Sequence, residues 1–273
     1  MDDAEELTYG VYPLTKREKS YCPFIIRYPA AMTSTVRPHH RQGPARLVGG
    51  VPYSDRASTL SLLPGAAVGR WLARQAPLVC GRLLDLGCGN QPFLPWYGPK
   101  VAEAVPVDAA PARGVLQVDL AGPLPFPDAG FDTILCTQVL EHVENAEHAM
   151  GEIARVLRPG GHALVTVPFL YPTHEAPYDF QRFTHHGLAG LVRRHGLEVA
   201  ALDAQGGPVL MLAHFGVLAL TQVLRLLRLA DNRVLRALVA APQEALRSRV
   251  STRLSLPARV ASLGYMVVAR KPL

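Results

Sequence analysis

The run Leu83-Leu84-Asp85-Leu86-Gly87-Cys88-Gly89-Asn90-Gln91-Pro92 constrains this chain more than any other stretch, because it reads as a buried strand that ends in a tight glycine turn. Leu83, Leu84 and Leu86 supply the apolar run that a strand covered on both faces requires. Gly87 and Gly89 let the backbone turn sharply and approach a ligand closely. Pro92 suits the first turn of a following helix, where its missing N–H is not needed. A glycine turn alone also serves as a plain connection, so its meaning depends on what comes after it.

What comes after is a regular alternation of elements. Ala104-Val105-Pro106-Val107 stops at Asp108, about 20 residues beyond the turn, the spacing at which nucleotide-binding sheets place an acid against the ribose hydroxyls. Val118-Asp119-Leu120 marks a third strand end, where the Asp119 carboxylate can meet an adenine amino group. Leu124-Pro125-Phe126-Pro127 follows, then a buried strand Phe131 to Cys136, then Leu140-Glu141-His142-Val143. Asn145 is a suitable N-cap for a helix striped by Ala146, Ala149, Met150, Ile153, Val156 and Leu157, which Pro159-Gly160 ends before a strand from Ala163 to Val167. A shorter helix, capped by Thr184 and stopped at Gly196, leads to a strand over Leu197 to Leu202, and Gly264 to Arg270 reads as the last strand. Such alternation favours right-handed parallel βαβ units.

Taken together, the glycine turn, the acidic strand ends, Leu-Pro-Phe, Phe-Asp, Leu-Glu-His-Val and Arg-Pro-Gly-Gly, spread over roughly residues 80 to 203, resemble the class I S-adenosylmethionine-dependent methyltransferases, bacterial members associated with small molecules and glycans in particular. The resemblance implies an α/β fold: a Rossmann-like, seven-stranded, doubly wound sheet with an antiparallel seventh strand. It implies S-adenosyl-L-methionine as cofactor and S-adenosyl-L-homocysteine as product. Carried over residue by residue, it assigns cofactor contacts to Asp85, Gly87, Cys88, Gly89, Asn90, Asp108, Asp119, Leu120 and Thr137. Gln91 and Pro92 stand where many members carry glycine or a small residue. A dinucleotide fingerprint Gly-x-Gly-x-x-Gly would need glycine at position 92, which argues against an oxidoreductase.

The acceptor side is expected in the segment from Pro168 to Thr184, which mixes ionisable and aromatic side chains after a strand. His174 is the first candidate for a general base, because an imidazole titrates close to working pH. His142 is the second, with a pocket-wall role as its alternative. Tyr171, Glu175, Tyr178, Asp179 and Arg182 are the expected acceptor contacts, unless His174, Glu175, Asp179 and Arg182 form a network that only shapes the loop. A His/Glu/Asp cluster could hold a divalent metal, but no metal is expected, since no ligand spacing is recognisable and methyl transfer chiefly needs alignment. His39, His40, His185 and His186 read as surface residues.

Residues 1–55 read as an irregular arm or a lid over the acceptor, with Cys22 to Pro29 its most ordered part, and residues 56–273 as the methyltransferase domain. A helix from about Ser58 to Ala76 precedes the first strand of that domain. A helical cap insertion over about 207–258 carries the apolar run 209–229, which His214, Gly216, Gln222 and two arginines interrupt too often for a spanning helix. That run is expected to cover substrate, to meet a second copy in a homodimer, or to touch a membrane peripherally. A second helix is expected from Arg233 to Arg249.

With 49% apolar residues the chain has ample material for a core, and its net charge of +6 comes from arginines scattered along helices rather than an aromatic-rich basic stripe. Nucleic acid is therefore not an expected partner; an RNA methyltransferase is the weakest rival. Cys22, Cys80, Cys88 and Cys136 lack metal or disulfide-framework spacing, and with the acidic start Asp2 to Glu6 they suit a reduced cytoplasmic setting. The expected activity is O-methylation of a natural product or sugar in secondary metabolism. The rivals are C- or N-methylation, a lipid-linked acceptor, and a non-catalytic module that binds the cofactor without turnover.

Overall fold

The computed structural model describes residues 45–48, 51–54, 62–110, 112, 114–226 and 262–273. Two short antiparallel strands, β1 (Ala45–Val48) and β2 (Val51–Ser54), come first, within the span read as an irregular arm. The sequence signal for them is Gly49-Gly50 between two short apolar runs, a residue pair that favours hairpins. Helix α1 (Leu62–Arg74) follows, then β3 (Arg82–Leu86), the short α2 (Leu94–Tyr97), β4 (Glu103–Asp108), β5 (Leu116–Gln117) and β6 (Phe131–Thr137). The chain continues through α3 (Ala146–Val156), β7 (Leu157–Pro168), α4 (His185–Arg194), β8 (Glu198–Ala204), α5 (Pro208–Leu226) and β9 (Gly264–Arg270). The arm before residue 45, the Cys22 to Pro29 stretch and the expected helix from Arg233 to Arg249 lie outside the described residues.

Seven strands form one sheet in the order β5-β4-β3-β6-β7-β9-β8. β3 pairs parallel with both β4 and β6, and β9 runs antiparallel between β7 and β8. This is the Rossmann-like sheet with an antiparallel seventh strand that the resemblance implied. The period of two along each strand divides the core. Leu84, Leu86, Ile134, Cys136, Ala163, Val165, Val267 and Ala269 face α3 and α4, packing with Met150, Ile153, Leu188 and Val192. Leu83, Leu135, Leu164, Met266 and Val268 face the other way, onto Val68, Trp71, Leu72, Trp96 and Tyr97. Coverage on both faces is why these strands read as continuous apolar runs.

Two local expectations give way. Pro92 lies in the turn itself, and the helix after it begins at Leu94 with Pro95 in its first turn. α3 ends at Val156, before Arg158-Pro159-Gly160-Gly161, and those four residues belong to the extended β7, where the Gly160 N–H donates to the Lys271 carbonyl and the Lys271 N–H donates to the Gly161 carbonyl. The caps at Asn145 and Thr184 are as expected, accepting from the backbone N–H groups of His148 and Gly187.

The far edge is tied down by single bonds: Trp71 Nε1 donates to Asp203 at 2.9 Å, and the Gln205 amide donates to the Pro64 carbonyl at 2.9 Å. Gly264, at the start of β9, has no room for a side chain. A Cβ there would stand 2.2 Å from Gln205 Oε1 and 2.3 Å from the Val167 carbonyl oxygen. Gly264→Ala is expected to destabilise the protein by about 1–3 kcal/mol through overpacking against backbone, lowering the midpoint of thermal unfolding by several degrees; an unchanged midpoint would contradict that contact.

Candidate active site

The strand order reverses between β3 and β6, and in an open α/β sheet ligands occupy the crevice beyond the carboxyl ends at that point. The loop after β3 is shaped for close approach. Gly87 has φ +65°, and a Cβ on it would meet Val139 Cγ2 at 2.4 Å, so this loop lies directly against the loop after β6. Gly89 has φ +53° and open space where its side chain would be. Two backbone N–H groups tie this loop to the end of β4, and a third bond ties the chain after β5 to the same strand end. Cys88 N–H donates to the Val107 carbonyl at 3.0 Å, Gly89 N–H donates to Asp108 Oδ2 at 2.8 Å, and Val118 N–H donates to the Asp108 carbonyl at 2.9 Å. Asp108 is 2% exposed, and its Oδ1 accepts from Ala110 N–H at 2.9 Å.

The other predicted cofactor residues occupy the same edge. Asp119 lies two residues past β5, half-buried, its Oδ1 accepting from Ala121 N–H at 3.0 Å, and Leu120 is in the core beside it. Thr137 closes β6 and Asn90 is exposed on the glycine turn. Cys88 is buried, and burial next to Asp85 and Asp108 keeps its thiol protonated. Asp85 is 1% exposed and faces the α1 and α2 side, where Tyr97 Oη donates to its Oδ2 at 2.9 Å while Oδ1 has no hydrogen-bond partner among the described residues. Burial pushes its carboxyl up to about 7, the Tyr97 bond opposes this, and Asp108 adds to it. An acid with an unmatched oxygen, an acid at the next strand end and open space over Gly89 fit a ligand carrying a ribose diol and a cationic tail.

Beside this edge, the turn after β6 meets the loop after β7. Glu141 is fully buried, and neither carboxylate oxygen is hydrogen-bonded to another described residue. Burial raises its carboxyl to about 8, against the pull of its own backbone N–H and the charge of Arg182. His142 Nδ1 stands 2.8 Å from the Tyr178 carbonyl oxygen, which can only accept, so Nδ1 carries the proton and Nε2 the lone pair. That Nε2 is 3.8 Å from both Glu141 Oε1 and Glu175 Oε2.

The rings of His142 and His174 meet edge to face at 4.8 Å. His174 Nδ1 lies 3.3 Å from the Pro172 carbonyl and 3.3 Å from Asp179 Oδ2. Asp179 is gripped by Arg182 through both carboxylate oxygens and by the His174 backbone N–H at 2.9 Å. Burial alone would raise its carboxyl, but these bonds hold it at about 2. The His174 imidazole is held below its ordinary 6.5, chiefly by burial and then by His142, with Asp179 opposing. Tyr171 packs on His174 at 5.2 Å and stacks on His214 of α5 at 5.4 Å. His214 is 2% exposed, and burial pushes it down to about 4.

Every residue expected on the acceptor side is therefore in one neighbourhood, yet Asp179 and Arg182 satisfy each other and bear on His174. The loop is held in place by residues the sequence reading did not single out. Phe180 N–H donates to the Glu141 carbonyl at 2.9 Å, and the Gln181 amide donates to the Val143 carbonyl at 2.7 Å and the Leu140 carbonyl at 3.2 Å. Glu141 and Tyr97 were also passed over. The signal for Glu141 was available: a carboxylate set between Leu140 and Val143, in a stretch otherwise bound for the core.

A family model described as a methyltransferase domain matches residues 60–202, more than half of the chain. The methyltransferase YcgJ of Bacillus subtilis strain 168 is 34% identical over 122 residues, 38% of this chain and 46% of that protein. The 27-O-demethylrifamycin SV methyltransferase of Amycolatopsis mediterranei strain S699 is 34% identical over 128 residues, 40% of this chain and 46% of that protein. The matches thus span just under half the length of these relatives. The solved structure of an S-adenosylmethionine-dependent methyltransferase from Mesorhizobium loti is 18% identical, with a TM-score of 0.49 covering 77% of this chain and 100% of that one.

The raised carboxyl of Asp85 has a pH signature. In the folded state it is protonated up to about pH 7, in the unfolded chain only up to 3.8, so the folded state binds the extra proton between these values. Stability contributed there is present at low pH and lost as pH rises through that window. Asp85→Asn, neutral throughout, is expected to gain stability relative to wild type between pH 5 and pH 8, read as a widening difference in unfolding midpoint. A difference that stays constant would show that Asp85 is ionised throughout.

Proposed function

Since this chain belongs to the class I S-adenosylmethionine-dependent methyltransferases, we propose that it methylates a hydroxyl oxygen of a small-molecule natural product or sugar. The observation that carries the oxygen assignment is His174: a neutral imidazole with its Nδ1 proton committed to oxygen acceptors, its lone pair on Nε2, and an ionised carboxylate behind it. That is the arrangement of a positioned general base. The cofactor supplies an electrophilic methyl group. The protein's part is to align the two reactants, and alignment can supply ~7–11 kcal/mol of the barrier.

In this reading Asp108 turns from the Gly89 and Ala110 amides toward the ribose hydroxyls, and Asp119 and Leu120 meet the adenine ring. The glycine turn and Asp85 receive the cationic tail, with Asp85 giving up its proton as positive charge arrives. On the acceptor side, His174 Nε2 takes the hydroxyl proton. Asp179 orients the ring and stabilises the imidazolium, and Arg182 keeps Asp179 ionised. Tyr171, Glu175 and Tyr178 border the acceptor, and His142 forms the wall between the two reactants. One observation favours a lipid-linked acceptor as a variant of this reading: α5 leaves Leu212, Phe215, Leu220 and Val223 exposed among the described residues, although no described helix is long and apolar enough to cross a membrane.

Incubation with methyl-labelled cofactor and a panel of hydroxylated metabolites and glycans, followed by mass spectrometry, is expected to give a product one methyl heavier on oxygen. Intact cofactor binding with no product on any acceptor would favour the non-catalytic module. His174→Ala is expected to lower kcat about 10²-fold or more, at the lower end of general-base contributions, with affinity for S-adenosyl-L-homocysteine preserved. The acid limb of kcat/KM is expected below pH 6.5, because the imidazole stays neutral below its ordinary value. Wild-type turnover in the variant, or a limb above that value, would remove His174 as the base. Asp108→Ala is expected to weaken S-adenosyl-L-homocysteine binding by ~1.5–3 kcal/mol, the worth of hydrogen bonds to a charged group; equal calorimetric affinity would remove the ribose assignment.

A further inference from the structure

The acceptor side holds a buried carboxyl group that the proposed mechanism does not use. Glu141 is fully buried with neither oxygen hydrogen-bonded to another described residue, and it faces two imidazoles. One ligand atom from each of Glu141, His142 and His174 lies within 4.8 Å of the other two. The neighbouring cation, Arg182, is already bound to Asp179 through both carboxylate oxygens. A carboxylate so enclosed has to be neutralised by a proton or by a positive ion seated against it.

The tautomers favour an ion. In both histidines Nδ1 stands against oxygen acceptors: the Tyr178 carbonyl for His142, the Pro172 carbonyl and Asp179 for His174. Both rings therefore keep their lone pairs on Nε2. A carbonyl or carboxylate that fixes the far nitrogen is the usual outer support of metal-ligating histidines. Glu175 brings a further carboxylate oxygen to 3.8 Å from His142 Nε2, carried by a residue held at φ +52°. Two imidazoles with carboxylate suit first-row transition ions better than calcium or magnesium, which take oxygen ligands. Sequence spacing did not reveal the group because His174 is brought in by the loop after β7, a whole βα unit away from Glu141 and His142.

We infer that Glu141, His142 and His174 bind one divalent transition-metal ion, with Glu175 at its rim and one coordination position open toward the acceptor. Only that last feature rests on the methyl-transfer reading: a heteroatom of the acceptor completes the shell and is held and polarised there. With the ion in place His174 Nε2 is a ligand and no longer the base of the metal-free reading; the hydroxyl proton of a bound acceptor, made more acidic by the ion, then leaves to solvent.

Cobalt(II) titrated into the full chain after chelator treatment tests the site, by visible absorption and calorimetry. The expected result is one equivalent bound with the absorption of a nitrogen- and oxygen-ligated ion, weakened at least tenfold by Glu141→Gln and by His174→Ala. His185→Ala serves as control, because half-buried His185, expected on the surface but packed on Tyr265, and exposed His186, with ring centroids 3.7 Å apart, are a competing histidine pair; it is expected to leave cobalt binding unchanged. No binding by wild type, equal binding by Glu141→Gln and His174→Ala, or loss in His185→Ala would each overturn the inference. Titration of S-adenosyl-L-homocysteine into the same samples separates the two readings. Wild type that binds it but takes no cobalt loses only the metal, whereas wild type that does not bind it loses the methyl-transfer reading whatever cobalt does.

Discussion

The bond from the Gly89 amide to the Asp108 carboxylate is the interaction on which the candidate site depends, since it joins the turn after β3, where the strand order reverses, to the end of β4. A side chain at Gly87 would collide with Val139, so the same turn is pressed against the loop that leads to Glu141 and His142. The glycines therefore do two jobs. Gly87 allows contact between two loops, and Gly89 leaves room above one of them. Everything expected of the cofactor follows from that packing, and the loop after β7, which carries most of the expected acceptor contacts, is pinned to the turn that Val139 begins.

The site also concentrates charge in places where water is excluded. Asp85, Asp108, Glu141 and Asp179 are all removed from solvent, and each is handled differently. Asp108 is matched by backbone N–H groups, and Asp179 by an arginine and an amide. Among the described residues Asp85 has one hydrogen-bond partner for two oxygens, and Glu141 has none on another residue. The first two are satisfied by the fold itself. The other two carry raised carboxyls, a cost in the unliganded protein that a cationic ligand would offset. Perturbed groups of this kind cluster where chemistry happens, and here they lie on either side of the Gly87–Val139 contact.

The fold was legible because its signals are local and repeated. Apolar runs that end in glycine or aspartate give the parallel strands, and Asn145 and Thr184 announce two helices that form where expected. The cofactor edge was legible for the same reason, since Gly87, Asp108 and Asp119 each stand at a strand end and the topology brings strand ends together. The acceptor side was legible only as a list of residue types. That Asp179 is spent on Arg182, that Gln181 pins the loop to the turn after β6, and that Glu141 joins two histidines are consequences of one loop folding over another. Periodicity carries no trace of such contacts. The hairpin at residues 45–54 is a different case: its Gly-Gly turn was present but lay in a stretch dominated by Pro and Arg.

Hydrogen exchange with and without S-adenosyl-L-homocysteine tests most directly whether these loops close on a single ligand. The account predicts slowed exchange on ligand addition at Gly87 to Gln91, at Asp108 to Ala110, around Asp119 and from Thr137 to Val143, with β8 and β9 unchanged. Protection confined to other parts of the sheet, or no protection at the glycine turn while the ligand is bound, would contradict it.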